Sequence, residues 1–83
     1  MIPIDPEGPV APPRRNGELV FDAAWQARAF GMAVALLDHY GLGWDAFRRH
    51  LVVAIAAHPD RTYYEQFVEA LAALGDDLTA RAG

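Results

Sequence analysis

The chain has 83 residues, enough for one small domain, and 53% apolar against 22% charged residues marks it as foldable rather than disordered. It contains no cysteine, serine or lysine, which excludes disulfides, zinc-thiolate sites, thiol and serine nucleophiles, Schiff-base chemistry and a P-loop lysine. A formal net charge of −4 argues against non-specific nucleic-acid binding and against adhesion to an anionic membrane.

The start, Met1 to Glu7, has neither a basic region nor an apolar core, so no secretory leader is expected. The longest uncharged apolar run, Ala29 to Leu37, is too short to cross a bilayer. A soluble cytoplasmic protein is the expectation. Pro3, Pro6, Pro9, Pro12 and Pro13 crowd the first thirteen residues. Each fixes φ and lacks an N–H, so this stretch is neither helix nor central strand. An extended, polyproline-like arm over residues 1–21 is expected. It is either an unstructured tail or a segment docked through Val10, Leu19, Val20 and Phe21. Arg14 to Gly17 reads as a turn and Glu18 to Phe21 as an extended lead into the fold.

From Asp22 the period becomes helical, and residues 22–83 read as a three-helix domain. The first helix is placed at 22–40, with Asp22 as N-cap and an apolar face of Trp25, Ala29, Met32, Ala33, Leu36, Leu37 and Tyr40. Gly41 and Gly43 end it. The second helix is placed at 44–58, carrying Trp44, Phe47, Leu51, Ala54, Ile55 and His58 on one face, with Val52 and Val53 widening it and Pro59 stopping it. The third is placed at 62–74. Thr62 and Glu65 have capping-box spacing, Tyr63, Phe67, Ala70, Leu71 and Leu74 share a face flanked by Tyr64, and Gly75 is the expected C-cap. Residues 76–83 are left as one more turn or a tail. The fold class is therefore all-α: a small three-helix domain with an extended proline-rich N-terminal arm. Nine aromatics in so short a chain exceed what three helices of this length hide, so surplus aromatic surface for a partner is expected.

Catalytic and metal motifs are not evident. His39, His50 and His58 lack the three- or four-residue spacing of helical metal ligands. Glu65 and Glu69 are i, i+4 but fall on a polar face, which reads as solvated surface rather than an acid–base pair. Arg48, Arg49 and Arg61 are interleaved with Asp45, Asp60 and Glu65, unlike the basic face of a DNA-reading helix. Arg28 sits among the aromatics of Trp25-Gln26-Ala27-Arg28-Ala29-Phe30. Its stem can pack on Trp25 while its guanidinium finds a carboxylate or carbonyl, or it is an ordinary snorkelling arginine.

Four pieces in order carry a family likeness: Arg15 to Phe21, Trp25 to Leu36, Trp44 to Phe47, and Tyr63 to Leu71. Together, over about residues 15–74, they resemble the nitrile hydratase accessory (activator) proteins and the related N-terminal helical domain of the nitrile hydratase β subunit. Gly31 stands where that family usually has alanine, and Phe67 where it usually has tryptophan. The resemblance implies a cytoplasmic helical protein, not catalytic alone, that binds the hydratase α subunit and assists its metal loading and maturation. The alternative it implies is a small β-like subunit that completes the active site of a nitrile hydratase or thiocyanate hydrolase-type enzyme. The chain itself is expected to bind no cofactor, the cobalt or iron being held by the partner. The cysteine motif of iron-type activators is missing, which shifts the expectation towards a cobalt-type accessory protein or a small β-like subunit. Phe21, Trp25, Arg28, Trp44, Tyr63 and Tyr64 are the implied partner-binding residues, and with Phe30 and Phe67 they are expected to build the core and the surface facing that subunit. Neither nucleic acid nor membrane is expected as a partner.

Overall fold

The computed structural model describes residues 12–15 and 18–82. Residues 1–11 of the arm expected over 1–21, and Asn16 and Gly17 of the expected turn, lie outside the described residues. Of the arm's end, Pro12 is buried and Pro13 exposed. β1 (Arg14–Arg15) pairs antiparallel with β2 (Glu18–Leu19), placing Arg14 opposite Leu19 and Arg15 opposite Glu18. The Val20 N–H donates to the Pro13 carbonyl at 3.1 Å and prolongs the pairing. Arg14 and Arg15 are thus strand residues rather than turn residues. Their backbone groups find partners across a ladder, which satisfies more of them than a lone turn does.

α1 (Ala24–His39) starts two residues later than expected. Ala23, extended at φ −147° and ψ 153°, is the N-cap and supplies no side-chain bond. Asp22 lies one position too far out to cap. The Asp22 N–H instead donates to Gln26 Oε1 at 2.6 Å, so a side chain of the first turn reaches back to the chain entering it. The C-terminus follows the glycine rule. Gly41 adopts φ +66°, its N–H donates to Asp38 O at 3.1 Å, and Leu42 N–H donates to Leu37 O at 2.8 Å. This is a Schellman closure, and only glycine enters that backbone region without a Cβ penalty.

α2 (Trp44–Ala57) has Gly43 as N-cap, Asp45 in its first turn and His58 as C-cap, with Pro59 beyond. α3 (Tyr63–Ala82) begins with the expected capping box: Thr62 N–H donates to Glu65 Oε1 at 2.9 Å and Glu65 N–H to Thr62 Oγ1 at 3.4 Å. It does not stop at Gly75. The helix runs on to Ala82, which corrects the expected boundary at residue 74. Leu78 explains this, because it continues the Leu71 and Leu74 face and is buried. Burying a leucine is favourable by about 1.5–3 kcal/mol, whereas glycine within a helix costs about 1 kcal/mol. Thr79 Oγ1 also donates to the Gly75 carbonyl at 2.8 Å, and Arg81 pairs with Asp77 at 3.3 Å.

α2 and α3 form the most intimate pair, and α1 leans on both less extensively. His50 lies 3.9 Å from Asp77 and His58 3.9 Å from Glu69. The positions advance on α2 as they recede on α3, so the two helices are antiparallel. α1 runs in the same sense as α3: Phe30 meets Phe67 near their starts, and His39 and Gly75 share a cleft further along. The core gathers around Phe67. Its ring lies 4.6 Å from Phe47, 5.4 Å from Tyr64, 6.0 Å from Phe30, 6.1 Å from Tyr63 and 6.5 Å from Trp44. α1 contributes only Ala29, Ala33 and Leu37 as buried residues. Alanines let its backbone approach the aromatic cluster, but they bring little volume of their own.

Candidate docking face

Ala35 on α1 and Ala72 and Gly75 on α3 are too small to fill the flank where these two helices meet. The result is an open cleft of about 650 Å³ whose lining is almost wholly apolar, formed by Met32, Leu36, Val68 and Leu71, with His39 and Gly75 towards the C-terminal ends. Met32 is 62% exposed and Val68 42%, so this apolar surface is open to solvent rather than packed. A contiguous exposed face of this kind is a mark of an interaction surface.

Towards the N-terminal ends, Val68 passes from this cleft into a notch lined by Trp25, Arg61, Glu65 and Glu69. Arg61 Nη1 lies 3.4 Å from Glu69 Oε2, and Glu69 Oε1 lies 3.9 Å from His58. The hydrogen bonds from the Thr62 backbone N–H and then its hydroxyl hold the Glu65 carboxyl below its ordinary range, with the Arg61 charge adding to them. Burial, with Tyr64 beside it, pushes the Tyr63 phenol well above its usual value. Tyr63 is therefore a neutral packing group at physiological pH.

The six residues singled out in the sequence are divided by the fold. Trp44 and Tyr64 are buried in the core. Phe21 is half-buried, its ring 5.9 Å from Phe30 and 5.6 Å from Tyr64, and Tyr63 is half-buried beside Phe67. Trp25 and Arg28 are exposed, one helical turn apart on α1. Among the described residues Arg28 makes no hydrogen bond or ion pair, which fits the snorkelling arginine. Only Trp25 of the six reaches the notch. Phe30 and Phe67 take part in the core as expected. The surplus apolar surface is also less aromatic than the ring count suggested. Trp44, Phe47, Tyr64 and Phe67 are buried, and only Trp25 and Tyr40 are exposed rings. Among the described residues the remainder is aliphatic: Met32, Val52, Val53 and Val68.

Met32 and Leu36 belong to the apolar face expected of the first helix and Val68 to none of the expected faces, yet all three line this cleft. The available signal was the breadth of the first helix's apolar stripe. With Ala29, Ala33 and Leu37 along one edge and Trp25, Met32 and Leu36 along the other, the stripe is wider than one line of contact requires, so part of it is left outside. Among the described residues no group of three or more His, Asp or Glu side chains is arranged to hold a metal ion. No described helix is long and apolar enough to cross a membrane.

Across residues 3–79 the chain matches the family model described as nitrile hydratase beta subunit, N-terminal. This chain belongs to that family. Comparison with curated proteins and with solved structures returned no match. The match embraces β1, β2, α1, α2 and nearly all of α3, so the Phe67-centred core and the α1/α3 cleft are both parts of a nitrile hydratase β-type N-terminal domain.

Proposed function

We propose that this domain is a non-catalytic accessory protein that binds the α-type subunit of a nitrile hydratase in the cytoplasm and assists its metal loading and maturation. The supporting observation is an exposed apolar face, from Trp25 to Met32 and Val68, on a β-type domain of this enzyme family. The chain contains no cysteine, so the thiolates of a cobalt or iron centre would come from the α-type subunit. Binding would cover the cleft, and the accessory chain would act by holding that subunit in a state that admits the metal.

Membership in the family of the β subunit itself favours a second reading, a small β-like subunit that stays in the enzyme and completes its active site. Coexpression separates the two. The α-type subunit is produced with and without this chain, its metal content is measured by mass spectrometry, and the composition of the active enzyme is determined. An accessory protein raises the metal content and is absent from the final enzyme, whereas a subunit remains at fixed stoichiometry. If the chain neither co-purifies with the α-type subunit at any stage nor changes its metal content, both readings fail. Partner binding should also raise the melting temperature of this small domain.

A further inference from the structure

The apolar cleft and the charged notch share Val68 and form one surface along α1 and α3. From Trp25 to His39 it spans about 21 Å at a rise of about 1.5 Å per residue, close to four turns of a docked helix. Two helices running alongside each other present the kind of furrow into which the side-chain ridge of a third helix packs, with anchors at i, i+3, i+4 and i+7. The notch adds a chemical preference. The exposed Trp25 stands beside Glu65 and Glu69, and Arg61, the cation among the described residues that line the notch, is already engaged with Glu69 at 3.4 Å, with His58 3.9 Å from the same carboxylate. Glu65 accepts from Thr62, and a carboxylate has further lone pairs exposed here for a ligand. An indole face beside carboxylates suits a guanidinium or ammonium group.

We infer that the α1/α3 cleft receives an amphipathic helix of the α-type subunit, its apolar ridge on Met32, Val68 and Leu71 and a flanking arginine or lysine in the notch of Trp25, Glu65 and Glu69. This rests on the proposed pairing with that subunit and adds the chemistry of the contact.

Titration calorimetry of the full-length chain against the α-type subunit tests it, with circular dichroism confirming that each variant folds. Met32→Glu places a charge on a residue already 62% exposed, so the fold should tolerate it. It should weaken binding roughly tenfold or more by setting an unpaired charge against the apolar ridge. Glu65→Gln keeps the acceptor for the Thr62 N–H and removes only the charge. It should weaken binding roughly threefold and flatten its salt dependence. Val52→Glu, on an α2 residue 49% exposed and outside the cleft, should bind as the wild type does. Equal binding by the Met32 variant and the wild type, or equal weakening by the Val52 variant, overturns the cleft assignment and leaves the proposed function standing. No binding by the wild type overturns both. Self-association of the free chain that Met32→Glu abolishes would give the cleft to a second copy and overturn the inference.

Discussion

The side-chain amide of Gln66 donates to the carbonyl of His58 at 2.8 Å. Gln66 is the buried polar side chain among the described residues, and His58 is the C-cap of α2. The Arg61 N–H donates to the same carbonyl at 3.1 Å, so two bonds tie the end of α2 to the start of α3 across the corner made by Pro59 and Asp60. That corner holds the two helices antiparallel and lets Phe67 meet Phe47 and Trp44.

Gln66→Ala should therefore cost more than an exposed substitution. It removes one of two donors to a part-buried carbonyl and leaves a small void, for about 1–2 kcal/mol. Urea unfolding should show a lower midpoint with little change in slope. A midpoint equal to the wild type would mean that water replaces the amide freely.

Phe67→Ala removes the ring that five other aromatics touch. The expected loss is about 3–5 kcal/mol, comparable to the whole stability of a domain this size. The variant should lose cooperative thermal unfolding and bind a hydrophobic dye. Retention of a sharp transition within a few degrees of the wild type would contradict the central place given to this ring.

Two glycines should respond with opposite signs. Gly31 lies within α1 with nothing within 4 Å of an added Cβ, so Gly31→Ala should stabilise by about 0.5–1 kcal/mol. Gly41 has equal space but sits at φ +66°, so Gly41→Ala should destabilise by about 1 kcal/mol. Thermal melts of the two variants measured side by side distinguish backbone conformation from crowding as the cause.

Thr62→Ala should cost about 1 kcal/mol through loss of the cap. Glu65 carries a pH signature of its own. Its folded value is lowered, so its contribution is present above the ordinary carboxylate range and disappears as the pH falls through the folded value. Stability measured from neutral to acid pH should fall less steeply in Glu65→Gln than in the wild type. Tyr63 has the opposite sign. Its raised value makes its contribution present below the usual phenol range and lost as the pH climbs beyond it. Spectroscopic titration should find this phenol ionising only as the chain unfolds in alkali.

Local signals in the chain determine the structure where local chemistry decides the outcome. The Thr62 and Glu65 box, the Gly41 closure and the stop at Pro59 each need only neighbouring residues, and each stands as expected. The family likeness read over residues 15–74 reaches residues 3–79. The start expected at Asp22 and the stop expected at Gly75 differ from the structure because a competing interaction, local at Asp22 and tertiary at Gly75, outweighs the cap. Gln26 reached back past Ala23 to the Asp22 N–H, and burial of Leu78 carried α3 through its glycine.

The sequence by itself determined three amphipathic helices, their order and the residue types of the core, because periodicity and caps act over one or two turns. Which apolar residues stay outside was decided only by the tertiary structure. Trp44 and Met32 both lie on predicted apolar faces, yet one is 5% exposed and the other 62%. That difference arises from how the helices meet: α2 and α3 close tightly on each other, while the small residues Ala35, Ala72 and Gly75 leave the flank of α1 open.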